Sequence, residues 1–221
     1  MGILSRYFST TDLTEIKLAV QEAEKKTSGE IVPYFAEASH HYKEWNWFGS
    51  FIGGGLGGST LFLLDRFGFK GWDYGALDSI VFVWLGAFMG FILPYFLSSL
   101  RLAIVPFGAK KFFVNLKAKE AFLEEEIFRT SNRTGILIYI SLREKMVRVL
   151  PDTGIAKIVP QSDWEEAVRL IVEGMKSKQK KEGIVASILF CGNLLVKYGL
   201  QIQKDDKNEI SDEIRDGGTQ L

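Results

Sequence analysis

The chain has 221 residues, which suits one domain of ordinary size with an addition, or two small domains. Its 27 Lys and Arg balance its 27 Asp and Glu, so it lacks the basic field that recruits nucleic acid, and nucleic acid is excluded as a partner. The one cysteine, Cys191, excludes an internal disulfide and a thiolate zinc cage.

The first 44 residues predict one helix and one strand, the first part of a soluble domain. Asp12 and Glu15 have the spacing of a capping box, and an apolar stripe at helical spacing follows them up to Gly29. Residues 30–36 predict a strand, since Ile31, Val32, Tyr34 and Phe35 are apolar, and Pro33 indicates an edge or an irregular position. A helix and a strand alone cannot close a core, so their partners must come later.

Residues 45–100 predict a transmembrane helical hairpin. This quarter of the chain holds 11 of the 22 glycines and 15 of the 29 aromatic residues, but five of the 54 charged residues. Within it, 45–64 and 79–100 are free of charge, and each is about the length of a helix that crosses a hydrocarbon core of roughly 30 Å. A buried hairpin in a soluble protein is the alternative. We expect two spans, with the lipid bilayer as a partner.

Glycines at four-residue spacing predict close packing within the hairpin or against another membrane protein. Small residues at this spacing let two helix backbones approach closely, although glycine can also be merely tolerated in lipid. The residues assigned to this membrane-packing role are Gly49, Gly53, Gly57, Gly86 and Gly90.

The basic residues near the ends of the spans predict a topology. The connection 65–78 carries two basic and three acidic residues, whereas 101–119 carries five basic residues and no acidic ones. The positive-inside rule then places both termini and the soluble domain in the cytoplasm of a two-span cell-membrane protein. The basic run also allows contact with anionic headgroups, although such a run is more often only the topological anchor.

The second soluble part, 101–200, predicts the missing partners. A helix over about 110–129 precedes the continuously apolar run 135–140, which predicts a strand at the centre of the sheet. Residues 146–150 predict its hairpin partner, and two helices follow, the first beginning at a capping box of Ser162 and Glu165. We expect Cys191, on the last helix, to be a core residue.

The whole pattern predicts an α/β fold, a three-layer α/β/α sandwich on a small mixed sheet, interrupted by the hairpin. The remaining residues, 201–221, form a charged tail that we expect to be loose.

Four segments resemble the TPM domain family. They are AEKKTSGEIV at 23–32, FRTSNRTGILI at 128–138, LPDTGI at 150–155 and DDKNE at 205–209, in family order. The chain is similar to members with two spans between the first strand and the second helix. The resemblance implies an α/β/α sandwich, and family members have been linked to weak acid phosphatase activity, to calcium binding through acidic residues, and to assembly or repair of membrane complexes.

The candidate ligands for a cation are acidic residues at a turn and in the tail. If the tail folds back over the strand ends, their oxygens converge on a hard cation such as Ca²⁺; the alternative is an ordinary turn and a solvated tail. The residues of this candidate metal site are Asp152, Asp205, Asp206, Asn208 and Glu209.

No sequence motif indicates a catalytic residue. The adjacent His40 and His41 have no further ligand at metal spacing, and the hydroxyls of Thr27 and Ser28 have no evident base. We therefore expect an interaction module that assists or maintains a membrane complex. The alternative is a divalent-cation-dependent phosphatase at the cytoplasmic membrane face.

Overall fold

A computed structural model describes residues 2–68, 75–202 and 208–218. Asp205 and Asp206 of the predicted metal site lie outside these residues. The described helices are α1 Thr10–Glu24, α2 Asn46–Phe67, α3 Ala76–Phe96, α4 Ser98–Ile104, α5 Phe107–Glu124, α6 Thr153–Ala156, α7 Gln161–Lys176 and α8 Lys180–Lys197. The described strands are β1 Ile31–Ala36, β2 Ile136–Ser141, β3 Met146–Pro151 and β4 Arg215–Asp216.

The chain forms two compact units. The first unit, the α/β unit, comprises Met1–Ser39 and Lys111–Leu221, and the second, the hairpin unit, comprises His40–Lys110. The hairpin unit is thus an insertion between two stretches of chain that fold together.

The α/β unit contains a mixed four-stranded sheet in the order β3-β2-β1-β4. β1 and β2 run parallel, with Ile31 opposite Ile136, while β2 and β3 form an antiparallel hairpin. β2 is buried along its whole length between two neighbours, as its continuous apolar run predicts. β1 also has two neighbours, so the first alternative predicted from Pro33, an edge strand, is wrong. Within the described residues, β4 pairs with Tyr34 and Phe35 and stops short of Pro33, so this proline needs no ladder hydrogen bond on that side.

Alternate residues of the strands belong to two separate apolar clusters. One cluster joins Phe35, Ile138 and their neighbours to the buried faces of α1, α7 and α8. The other joins Tyr34, Tyr139 and their neighbours to α5. Because successive strand residues point to opposite faces of a sheet, the two clusters lie on opposite faces. Cys191 is fully buried in the first cluster, and burial raises the pKa of its thiol to about 12, as suits a core residue and not a nucleophile.

The two capping boxes predicted from the sequence, at Asp12 and at Ser162, are both wrong. The Ser9 hydroxyl accepts a hydrogen bond from Asp12 N, and the Asp12 carboxylate accepts one from Ser9 N, so α1 begins three residues before the predicted box. At α7 the N-cap is Pro160, and Ser162 already lies inside the helix.

The end of the tail adds a strand that the sequence did not predict. Arg215 and Asp216 pair in parallel with β1, and Gly217 N donates to Phe35 O at 2.8 Å. Ile210 is buried in the cluster beneath α5. The expectation of a loose tail is therefore wrong for residues 208–218, because one buried isoleucine and ladder hydrogen bonds hold a segment of highly charged composition.

The hairpin unit contains two helices that are long and apolar enough to cross a membrane. The first candidate span, Lys43–Phe67, has a mean hydropathy of 1.2, and the second, Ala76–Phe96, has one of 2.0. None of the most apolar window of the second span is buried within the molecule. α3 ends two residues after Pro94, and the short helix α4 follows.

Candidate functional site

A pocket lined by carboxyl groups lies in the α/β unit, where α1 ends and β1 begins. Glu24 is the last residue of α1, and Glu30 directly precedes β1. The C-terminal segment supplies Asn208 and Asp212 from the other side. The cavity has a volume of about 380 Å³ and is lined by Gln21, Glu24, Lys25, Thr27, Glu30, Ile202, Asn208 and Asp212.

Glu30 is the most unusual group in this pocket. Its side chain is 7% exposed, and its Oε1 accepts a hydrogen bond from Glu209 N at 3.1 Å. Its Oε2 is buried and has no hydrogen-bond partner within residues 2–68, 75–202 and 208–218. Burial raises the pKa of Glu30 to about 7, against backbone hydrogen bonds that lower it, and the charges of Asp212 and Glu209 raise it further.

Glu24 is the second carboxyl with a shifted pKa. It accepts a hydrogen bond from Ile31 N at 2.8 Å, which ties the end of α1 to the start of β1. Burial raises its pKa to about 8, and the neighbouring carboxyls of Glu30 and Asp212 add to this, while the bond from Ile31 lowers it. Near neutral pH the pocket therefore holds protons that a bound cation would displace.

The structure gives Asp152, the first predicted ligand, a structural role. It is 2% exposed, caps α6, and accepts a hydrogen bond from Thr153 N at 2.6 Å. Its Oδ2 lies 2.8 Å from Arg133 Nε, an ion pair that is close but not aligned as a hydrogen bond. Asp152 does not line the carboxyl pocket.

The other described ligands of the predicted metal site have different partners. Glu209 accepts hydrogen bonds from the backbone N–H (2.9 Å) and the hydroxyl of Ser131. Asn208 lines the pocket and donates to Asp212. Among the residues that the structure describes, no three His, Cys, Asp or Glu side chains are grouped so as to hold a metal ion.

Two further sets of polar residues have local roles. Thr27 is buried, and its hydroxyl donates to Leu200 O at 2.5 Å and accepts a hydrogen bond from Gly29 N. These contacts match a structural role for the turn between α1 and β1. His40 Nε2 lies 3.2 Å from Glu44 Oε1 within the hairpin unit.

The five glycines assigned to membrane packing meet where α2 and α3 contact each other. A Cβ atom built on Gly53 would lie 2.1 Å from Gly86 O, and one built on Gly90 would lie 2.1 Å from Gly49 O. Gly57 faces Phe82 O in the same way, at 2.2 Å. An ordinary Cβ contact is 3.4–4 Å, so this backbone approach requires glycine at each position. Gly55, on the same helix, has open space around it.

An apolar groove runs along the same contact. It has a volume of about 390 Å³ and is lined by the five glycines with Ile52, Leu56, Thr60, Met89, Leu93, Pro94, Leu100 and Ile104. The glycines thus close the hairpin internally and also leave a concave strip on its surface.

Comparison with known proteins gives a fold likeness. No family model matches the chain, and no curated protein matches its sequence. The NMR structure of the BA42 protein from the psychrophilic bacterium Bizionia argentinensis is similar, with a TM-score of 0.57 at 19% identity over 95% of this chain and 94% of that one. At this identity the likeness supports the mixed α/β fold and carries no function.

Sequence reasoning missed Glu24, Glu30 and Asp212. Glu24 and Glu30 both lie in the segment 23–32 that resembles TPM domains, but their six-residue spacing across a helix end is not typical of a metal or catalytic site. The available signal was a carboxyl directly before a strand that is buried on both faces, since a charge there cannot reach solvent easily. Asp212 came from the tail expected to be loose.

Proposed function

We propose that the chain is a membrane-anchored α/β domain that acts as an interaction or maintenance module for a membrane protein complex. The surface of the hairpin unit carries this proposal. Large apolar side chains are exposed along both long helices, including Phe51 at 79%, Trp84 at 71% and Phe88 at 60%. A surface this apolar is stable in hydrocarbon and aggregates in water.

Two further observations support the proposed location of the protein and the proposed layers of its fold. The excess of Lys and Arg in 101–119 supports a cell-membrane protein with two spans and with both termini and the α/β unit in the cytoplasm. The two apolar clusters on opposite faces of the sheet support a three-layer α/β/α sandwich. The resemblance to TPM domains in sequence supports a role in assembly or repair of a membrane complex.

The groove of the hairpin unit is the proposed docking surface, and its occupant is an apolar transmembrane helix of a partner protein. Among the lining side chains Thr60 is the polar one, and its hydroxyl already donates to Leu56 O, so the groove matches an apolar helix. Small residues let such a helix approach closely, and the dispersion attraction between the packed atoms then stabilises the contact.

The experiment compares membrane complexes by native electrophoresis in cells that lack the chain. We expect one complex to be depleted and to be restored by the wild-type chain. Leu56→Trp fills the groove and should fail to restore it, whereas Leu63→Trp, at an exposed position outside the groove, should succeed. An unchanged complex profile, or equal rescue by both variants, contradicts the proposal.

A second candidate function is a divalent-cation-dependent phosphatase. The buried Glu30 Oε2, which has no hydrogen-bond partner among the residues that the structure describes, favours a cation in the carboxyl pocket. Glu24, Glu30 and Asp212 line the pocket with carboxyl groups and Asn208 lines it with an amide, the ligand types that Ca²⁺ prefers. Among the described residues these carboxyls are not grouped closely enough to hold an ion as they stand, so binding requires them to move together. A bound cation would supply charge for binding a phosphate group. The pocket residues would hold it only after Glu24 and Glu30 lose their protons.

Calorimetric titration of Ca²⁺ into the detergent-solubilised chain tests this candidate. We expect binding that strengthens from pH 6 to pH 8 and is lost in Glu30→Gln. A phosphatase further requires that hydrolysis of a phosphomonoester stops in that variant and with a chelator. The absence of Ca²⁺ binding at pH 8 rejects the cation site, and hydrolysis that survives Glu30→Gln rejects the phosphatase.

A further inference from the structure

Helix α5 exposes an apolar line on the side opposite the sheet. Its buried residues are Val114, Lys117, Ala118 and Ala121, and the three apolar ones pack in the cluster between α5 and the sheet. Its outer line carries Phe112 (61% exposed), Leu116 (53%) and Leu123 (62%), with Lys119 among them. The spacing i, i+4, i+7 and i+11 places these four residues on one side of the helix. A helix on a soluble protein normally has polar residues there.

The charges beside this line are unbalanced in favour of positive charge. Lys110, Lys111 and Lys119 have no ion pair within the described part of the chain. Each acidic residue near the end of α5 does have a cationic partner. These pairs are Glu120 and Glu124 with Lys117, Glu125 with Arg215, and Glu126 with Arg129.

The chain also restricts where α5 begins. Between Phe96, the end of α3, and Phe107 there are ten residues, of which α4 takes seven. A helix rises about 1.5 Å per residue, so α4 spans only about 10 Å. If α3 crosses the bilayer, α5 begins near its surface, and that surface is the one that basic residues favour.

We propose that the outer line of α5 lies on the anionic surface of the bilayer as an interfacial helix. Phe112, Leu116 and Leu123 enter the boundary between headgroups and acyl chains, and Lys111 and Lys119 contact lipid phosphates. This contact rests on the proposed membrane anchoring and goes beyond it, since it holds the α/β unit on the membrane by a third element and makes its position depend on lipid charge.

Spin labels on the full chain in nanodiscs test this contact. Cys191 is fully buried, so an added cysteine is the site that reacts. Leu116→Cys reports on α5, Trp84→Cys on the hairpin, and Leu18→Cys on an exposed position of α1. With anionic lipid we expect the ratio of oxygen to nickel-chelate accessibility at Leu116 to exceed that at Leu18 several-fold.

Charge reversal provides the matched comparison. Lys111→Glu with Lys119→Glu should lower the ratio of docked to undocked α5 at least roughly fivefold per lysine, whereas Lys157→Glu with Lys176→Glu, the same change in net charge at exposed positions elsewhere, should leave it unchanged. High salt should also lower the ratio of docked to undocked α5, because it screens the attraction between the lysines and the lipid phosphates.

Three outcomes overturn the inference. One is a deep label at Trp84 with an aqueous label at Leu116, which leaves the anchoring intact. Another is a label at Leu116 whose ratio of oxygen to nickel-chelate accessibility is equally high in neutral and in anionic lipid. The last is dipolar broadening between labels on two copies, which assigns the line to self-association. An aqueous label at Trp84 instead rejects the membrane anchoring itself.

Discussion

Substitution of Gly53 by alanine should weaken the α2–α3 contact far more than the same substitution at Gly55. The Cβ atom added at Gly53 would lie 2.1 Å from Gly86 O, short of an ordinary contact by about 1.3 Å, and the nearest atoms belong to backbone. The helices must therefore separate. At Gly55 nothing lies within 4 Å, so the added methyl group meets open space.

The pair of variants isolates the steric effect. Alanine is favoured over glycine in a helix by about 1 kcal/mol, and this gain is common to both variants. Overpacking of a tight contact costs about 1–3 kcal/mol. We therefore expect Gly53→Ala to lower the free energy of hairpin separation by about 2 kcal/mol relative to Gly55→Ala, which is roughly a 30-fold shift in the equilibrium.

The assay is energy transfer across the hairpin during titration with a denaturing detergent. Fluorophores are placed at Phe51→Cys and Trp84→Cys, which are exposed positions on α2 and α3, while the buried Cys191 does not react. The midpoint should fall for Gly53→Ala and stay close to the parent for Gly55→Ala. Equal shifts in the two variants would refute glycine-dependent packing.

Three further predictions concern the α/β unit, and each is checked by thermal unfolding of the solubilised chain. Because burial raises the pKa of Glu24 and Glu30 from 4.5 to about 8 and about 7, the folded state binds more protons, so stability should fall as pH rises from about 5 to 8 and Glu30→Gln should flatten this slope. Asp152→Ala removes the cap of α6 and the partner of Arg133, and should cost about 2 kcal/mol. Gly183→Ala places a Cβ 2.8 Å from Leu170 O and should cost about 1–3 kcal/mol.

Each of these has its own contradicting result. A stability that rises between pH 5 and pH 8 would mean that Glu24 and Glu30 are charged in the folded state. An unfolding temperature unchanged by Asp152→Ala would remove the structural role given to this residue. An unfolding temperature unchanged by Gly183→Ala would contradict the close backbone packing of α7 and α8 at this position.

The parts of the fold that the sequence predicts are those with long uniform patterns. The charge-free stretches predict α2 and α3, and the run 135–140 predicts β2, because each pattern repeats over enough residues to exclude other structures. The glycine spacing predicts which residues meet between α2 and α3, since four residues make about one helical turn.

The parts that it misses depend on contacts that are distant in the sequence. β4 has two residues and no strand pattern, and it exists because β1 offers it an unpaired edge. The carboxyl pocket combines the end of α1, the start of β1 and the C-terminal segment, so no local spacing encodes it. The position of Asp152 at a turn after a strand predicts a ligand, but its ion-pair partner, Arg133, comes from a separate loop that the spacing does not reveal.

Extraction of native membranes with alkaline carbonate distinguishes a bilayer-spanning chain from a peripheral one, because it releases peripheral proteins and leaves bilayer-spanning proteins in the pellet. We expect the full chain to stay in the pellet. A variant with four added charges should be released; its substitutions are Phe51→Asp, Leu56→Asp, Trp84→Asp and Phe88→Asp. Recovery of the wild-type chain in the supernatant would contradict the two membrane spans.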